Sequence, residues 1–199
     1  MPLGARKVSL ITFLYCANMP KKKDVAPEAA KEPPAKLPKP RPTGEPDQVL
    51  KLRELIESKL AEMVDLYFTD DHGNYVLGIA SARVFIVPTW IESGSTIIRV
   101  FAITNLDVPV TPELTTYLLE KNLEFVFGGF ALDSKAGAVW FNHNMLGDFA
   151  HPGQLEATLA AVAQTADQYD DEIKERFGGR LYVETPDEAV PIPDTPGYL

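Results

Sequence analysis

The strongest constraint on the fold is a pair of interrupted runs of β-branched and aromatic residues. Residues 83–92 and 96–104 are parted only by Ser93-Gly94-Ser95, and residues 123–132 and 138–143 only by Asp133-Ser134-Lys135-Ala136-Gly137. Parallel strands need a crossover of about a dozen residues or more, so connections this short force antiparallel hairpins. A further short strand is expected at Tyr75-Val76-Leu77-Gly78-Ile79, after the turn-forming Asp70-Asp71-His72-Gly73-Asn74. Pro88 has no backbone donor, so strand 83–92 should lie at an edge or be bulged there. Leu123, Phe125 and Phe127 should share one strand face.

Helical spacing surrounds these runs. Leu50, Leu52, Leu55, Ile56, Leu60, Met63 and Val64 form an apolar stripe after Pro46-Asp47, with Asp47 the expected N-cap. Thr111-Pro112 opens a second helix carrying Leu114, Tyr117, Leu118 and Leu119, which Asn122 is expected to close. His151-Pro152-Gly153 opens a third, expected over 152–177, which Gly178-Gly179 ends. The reading is α+β: an antiparallel sheet of four to five strands with three helices, in the order α-β-β(-β)-α-β-β-α.

Composition sets the limits of this body. The chain has 199 residues and a formal net charge of -9. Residues 19–46 contain eight prolines among Lys, Ala, Glu and Asp, too little apolar surface to offset ordering entropy, so a disordered arm is expected. Residues 184–199 add four prolines and four acidic residues, an expected disordered tail. The domain is therefore expected over 47–183. The arm should be dispensable for folding, as a solubilising tail or a docking arm. Residues 1–18 show a weak signal-like outline, Arg6-Lys7 before Val8-Ser9-Leu10-Ile11-Thr12-Phe13-Leu14-Tyr15-Cys16-Ala17, or a mis-assigned start before Met19. No apolar run is long enough for a spanning helix. The acidic balance argues against nucleic acid or an anionic membrane as partner. The single cysteine, Cys16, excludes an intrachain disulfide and fits a cytoplasmic location.

Signatures of chemistry are sparse. His72, His143 and His151 form no zinc-ligand pair, and no P-loop or GxSxG is present. Neither a cofactor nor a metal is expected. An enzyme or small-ligand reading would rest on His143, Asn144 and Asp148 in a pocket, against the plainer reading of His143 as a strand-end residue. Asp70, Asp71 and Asn74 resemble part of a calcium loop but lack its spacing and its late Glu. Asp167, Asp170, Asp171, Glu172 and Glu175 read as a solvated helix face, or as a site for a basic partner or a metal. Gly128-Gly129 should mark a bulge or sharp twist, with Gly129→Val costly.

The aromatic residues carry more information. Phe85/Ile86, Val100/Phe101, Val126/Phe127 and Trp140/Phe141 make adjacent strand positions apolar on both faces. If helices cover one face, the other is either an exposed binding or dimer surface or is covered within the chain. Phe85, Trp90, Phe101, Phe127, Phe130 and Trp140 are the candidate client-binding residues.

The stretch Asn122-Leu123-Glu124-Phe125-Val126-Phe127-Gly128-Gly129-Phe130-Ala131-Leu132-Asp133 resembles YbjN-like proteins and the type III secretion chaperone-like domains of actinobacteria. The likeness continues through Val139-Trp140-Phe141-Asn142-His143, Leu146-Gly147-Asp148, and the helix from Leu155 to Phe177-Gly178-Gly179. It covers roughly residues 47–182. It implies a non-enzymatic, peptide-binding chaperone-like module, often dimeric, of a bacterial type, whose partner is a protein or peptide client. The expected mechanism is an apolar sheet face shielding a client's apolar residues, with a free edge strand adding backbone hydrogen bonds. The acidic surface is expected to favour basic or amphipathic clients. A purely structural homo-oligomer is the remaining alternative.

Overall fold

The computed structural model describes residues 45–64, 67–70, 72–79, 82–91 and 93–184. The expectations for residues 1–18, for the arm as far as residue 44 and for the tail beyond Glu184 lie outside the described residues.

Helix α1 (Asp47–Met63) leads into β1 (Phe68–Thr69), β2 (Tyr75–Ile79), β3 (Ala82–Trp90) and β4 (Thr96–Leu106). Helix α2 (Pro112–Asn122), the hairpin β5 (Gly129–Asp133) and β6 (Ala138–Leu146), helix α3 (Pro152–Phe177) and β7 (Arg180–Leu181) follow. The sheet order is β1-β2-β3-β4-β6-β5, with every pairing antiparallel. Asn105 of β4 pairs with Val139 of β6 and with Leu181 of β7, so β7 takes the side of β4 that β3 has vacated. This is the expected α+β arrangement with seven strands. The additions, β1 and β7, are two residues each and too short for any periodic signal.

The helix ends show their local causes. The Thr111 hydroxyl accepts from the Leu114 N–H, with Pro112 at the first helical position. His151 caps α3 through Nδ1, which accepts from the Gly153 N–H at 3.1 Å. Gly178, at φ +83°, ends it. Asp47 is not the N-cap of α1: Pro46 holds that position without a side-chain bond, and Asp47 lies in the first turn, where a carboxylate favours the helix dipole.

Strand alternation separates two cores. On one face Val84, Ile86, Ile98, Val100 and Phe141 meet Leu52, Ile56 and Leu60 of α1, Leu114 of α2, and Leu155, Leu159 and Val162 of α3. All three helices contribute to this core. The opposite cluster is Phe85, Val87, Phe101, Ile103, Leu106, Ala138, Trp140 and Tyr182; none of α1, α2 and α3 contributes to it, and Tyr182 opens a short 3-10 turn, Tyr182–Glu184.

Two local expectations are corrected, and the one for Pro88 is met by a local edge. Residues 123–128 are not a strand. They form a turn and loop in which Leu123 and Phe127 are exposed while Phe125 packs toward the helix-side core, so alternation does not apply to them. The β5–β6 register is regular from Gly129↔Asn142 to Asp133↔Ala138, and the irregularity of this sheet falls instead in β4, between Ile103 and Asn105. Pro88 lies inside a three-strand segment of the chain's order, yet beyond the last β2 pair, Tyr75↔Ile86, so only β4 flanks it there. That local edge is why a residue without an N–H is tolerated.

Candidate functional site

The antiparallel register brings Phe85 of β3, Phe101 of β4 and Trp140 of β6 side by side on the helix-free face. The Phe85 and Phe101 rings stack at 5.0 Å, and Phe101 meets Trp140 at 5.1 Å. Tyr182, carried there by β7, lies 6.1 Å from Phe85. Phe101 is 1% exposed, Trp140 5% and Phe85 6%, so these rings are buried although none of α1, α2 and α3 contributes to their cluster. Trp140 Nε1 is buried and finds no acceptor among the described residues.

The charges at this face differ in sign from those of the chain. The Arg99 guanidinium lies 5.9 Å above the Phe101 ring, and that of Arg83 lies 5.4 Å above Tyr182. Burial lowers the Arg99 pKa from its ordinary value. By alternation, one carboxylate shares the face among the described strands, Asp133 at the β5 end, and it accepts from the backbone N–H groups of Lys135 and Ala136 within its own turn.

The other three candidates lie elsewhere. Phe130 is on the opposite face, buried against Phe125, Phe141 and Tyr169 at ring distances of 5.3–5.5 Å, and cannot share a surface with Phe85. Phe127 is 65% exposed, with its ring edge-on to His143 at 5.7 Å. Trp90, 46% exposed, ends β3 in register with the helix-side residues Ile86 and Val84. Parity within a strand was readable for Phe85, Phe101 and Trp140. The loop before β5 broke the same argument for Phe127 and Phe130.

His143, Asn144 and Asp148 do not form a shared site. His143 and Asn144 are strand neighbours and point to opposite faces. Desolvation lowers the His143 pKa. The Asp148 carboxylate accepts from the Thr96 hydroxyl at 2.6 Å and the Thr96 N–H at 3.0 Å, bonds that hold its pKa below the usual carboxylate range. Asp70 is committed to its own turn, accepting from the His72 and Asn74 backbone and the Asn74 side chain. Among the described residues, no group of three or more His, Cys, Asp or Glu side chains could hold a metal ion, and no helix is long and apolar enough to cross a membrane.

One functional side chain carries no pattern that would have found it. Asn122 reaches from the end of α2 to the outer side of β5, accepting from the Phe130 N–H at 2.6 Å and donating to the Phe130 carbonyl at 3.1 Å. It does not close its own helix, whose C-cap is Leu123. It closes an edge strand.

The described residues place three α-helices on one face of an antiparallel sheet and an aromatic cluster on the other. Residues 50–185 match the family model described as "T3SS (YopN, CesT) and YbjN peptide-binding chaperone 1", and the chain belongs to that family. This is the family that residues 122–133 and 139–179 resemble. Solved structures are similar to the domain. A chain in the structure of the HopA1–SchA chaperone–effector complex is 12% identical at TM-score 0.50, covering 64% of this chain and 98% of that one. A chain of the ExsC–ExsE complex is 18% identical at TM-score 0.47, covering 63% and 95%. A structure of the Yersinia pestis type III secretion chaperone SycH with a fragment of YscM2 is 17% identical at TM-score 0.44, covering 59% and 98%. No curated protein sequence matches significantly.

Proposed function

We propose that this protein is a non-catalytic, cytoplasmic chaperone that shields an apolar segment of a client protein on its helix-free sheet face. The observation that carries the reading is the stack of Phe85, Phe101 and Trp140 on the sheet face to which none of α1, α2 and α3 contributes. Phe130 supports the helix-side core and takes no part in client contact. Phe127 and Trp90 are exposed but lie off this face and outside its client contact. With Arg83 and Arg99 over the aromatic rings, the fitting client segment is apolar and flanked by acidic residues. This differs from the basic clients that the net charge of -9 suggests, because charge at the site, not summed charge, governs contact.

A face contact is favoured over strand addition at β5. Strand addition needs free backbone groups along an edge, and Asn122 already holds both those of Phe130. The homodimer would form through Leu119, Leu123, Val126 and Phe127, exposed apolar side chains that run from the end of α2 into the loop before β5.

A random-peptide display library panned against the full chain tests the client reading. Enrichment of apolar peptides with acidic flanks, whose binding weakens in Arg99→Glu and not in Phe127→Ser, is the expected result. Enrichment that follows Phe127 alone, or none above background, overturns it.

A further inference from the structure

We infer that β7 and Tyr182 form a strap that lifts off the aromatic face as a unit, hinged at Gly178-Gly179, and that the seat Tyr182 leaves takes an aromatic side chain of the client. Tyr182 is the odd member of its cluster. Every other residue there belongs to β3, β4 or β6, whereas Tyr182 arrives after the last α-helix and opens the 3-10 turn Tyr182–Glu184. It is nonetheless only 4% exposed, with its ring 6.1 Å from that of Phe85 and the Arg83 guanidinium 5.4 Å from its centre. A ring between a phenyl group and a cation is held by both, and any aromatic side chain of similar size satisfies the same contacts.

The attachment of this segment is short. β7 has two residues, paired Asn105↔Leu181 and Leu106↔Arg180, where β4 has just lost its regular register between Ile103 and Asn105. So short a ladder opens locally, well below the free energy of global unfolding. Arg180 Nε donates to Asp107 Oδ2 at 2.6 Å, but these side chains are 36% and 65% exposed, and salt screens such a pair. Asp107 has φ +54°, alone among the described non-glycine residues in the left-handed region, so the pair steadies a backbone that few side chains adopt. At the other end of the strap Gly178 and Gly179 stand at φ +83° and +81°, two successive residues with the freedom a hinge needs. Gly179 also lies tight against β4, where a Cβ would meet the Leu106 carbonyl oxygen at 2.6 Å.

Lifting the strap removes Tyr182 from Phe85 and Arg83 and leaves the β3–β4–β6 ladders intact. The vacated seat is apolar on the Phe85 side and cationic on the Arg83 side. If clients use this face, which rests on the function proposed above, the entering residue is Phe, Tyr or Trp with an acidic neighbour for Arg83. Tyr182 is then the chain's own stand-in for it, and the apparent client affinity falls in proportion to the fraction of molecules with the strap closed.

Amide hydrogen exchange of the full chain, followed residue by residue by NMR, reads the strap without any client. The amides that pair β7 with β4 should exchange roughly tenfold or more faster than those of residues 100–102 at the centre of the sheet. Added salt should speed the strap amides several-fold and leave the central ones unchanged. Asp107→Asn, which tolerates the left-handed backbone but carries no charge, should make the strap amides fast at low salt and abolish the salt response. Equal exchange of the two sets, or a salt response that persists in Asp107→Asn, overturns the strap. Peptides selected from the display library test the seat. They should share an aromatic residue beside an acidic one. Tyr182→Ala, and Gly179→Ala with its methyl group against the Leu106 carbonyl, should each bind them several-fold more tightly than the wild type. Unchanged or weaker binding in variants whose melt is still cooperative overturns the seat. Fast strap amides in a chain that selects no peptide overturn the client face and leave the strap standing.

Discussion

Gly128 shows how a single backbone angle governs this domain. It sits at φ +75° at the entry to β5, and a Cβ there would meet the Asn142 carbonyl oxygen at 2.7 Å and the Phe141 ring at 2.9 Å. The neighbouring Gly129 has no such angle, and its Cβ would meet Asn122 Oδ1 at 3.3 Å. The glycine pair was visible in the sequence, but the constraint belongs to Gly128 and not to Gly129. Gly128→Ala should cost about 1–3 kcal/mol by urea denaturation, the range for strain at special backbone positions, and more than Gly129→Ala. Asp148 supplies a pH dependence. Hydrogen bonds from Thr96 depress its folded-state pKa below the unfolded value, so its contribution is present above the ordinary carboxylate range and is lost as pH falls through the folded value. Asp148→Asn should lower the melting temperature at neutral pH and approach the wild type in acid.

At the scale of elements, two side chains hold segments that propensity leaves loose. Asn122 joins the end of α2 to the outer edge of β5, and Asn122→Ala frees both Phe130 backbone groups. The expected loss is about 1–3 kcal/mol, with faster aggregation followed by light scattering as the edge opens. Arg53 is buried in α1, donating to both Glu45 carboxylate oxygens at 2.6 and 2.7 Å and to the Gly73 carbonyl at 2.6 Å. Helical periodicity treats Arg53 as a polar position, and nothing local signals that its partner lies before Pro46. A chain beginning at Gly44 should melt near the full protein. One beginning at Pro46 leaves Arg53 buried without its carboxylate, a loss of about 3–5 kcal/mol. Equal melting temperatures for the two chains would show that Glu45 contributes little.

For the whole molecule, the acidic charge opposes indiscriminate self-association, so a dimer needs a localised apolar contact. Leu123→Asp with Phe127→Asp, both at exposed positions, should give a monomer by light scattering with an unchanged melt. If those substitutions leave the mass as it was, the α2–β5 surface is not the interface.

The sequence by itself determined the fold class, because short turns permit only antiparallel hairpins and helix caps are local chemistry: Thr111 and Gly178 mark their helix ends as read. It also carried the family, through residues 122–133 and 139–179. What only the tertiary structure decided is which apolar residues share a surface. Alternation paired Phe101 with Trp140 only once β4 and β6 were known to be neighbours, with Ile103 opposite Trp140. Phe130 went to the helix side because the loop before it changes the count. Burial, edge closure by Asn122 and the Arg53–Glu45 pair join residues 8 or more positions apart. Such contacts depend on where the chain returns in space, and no local period encodes that.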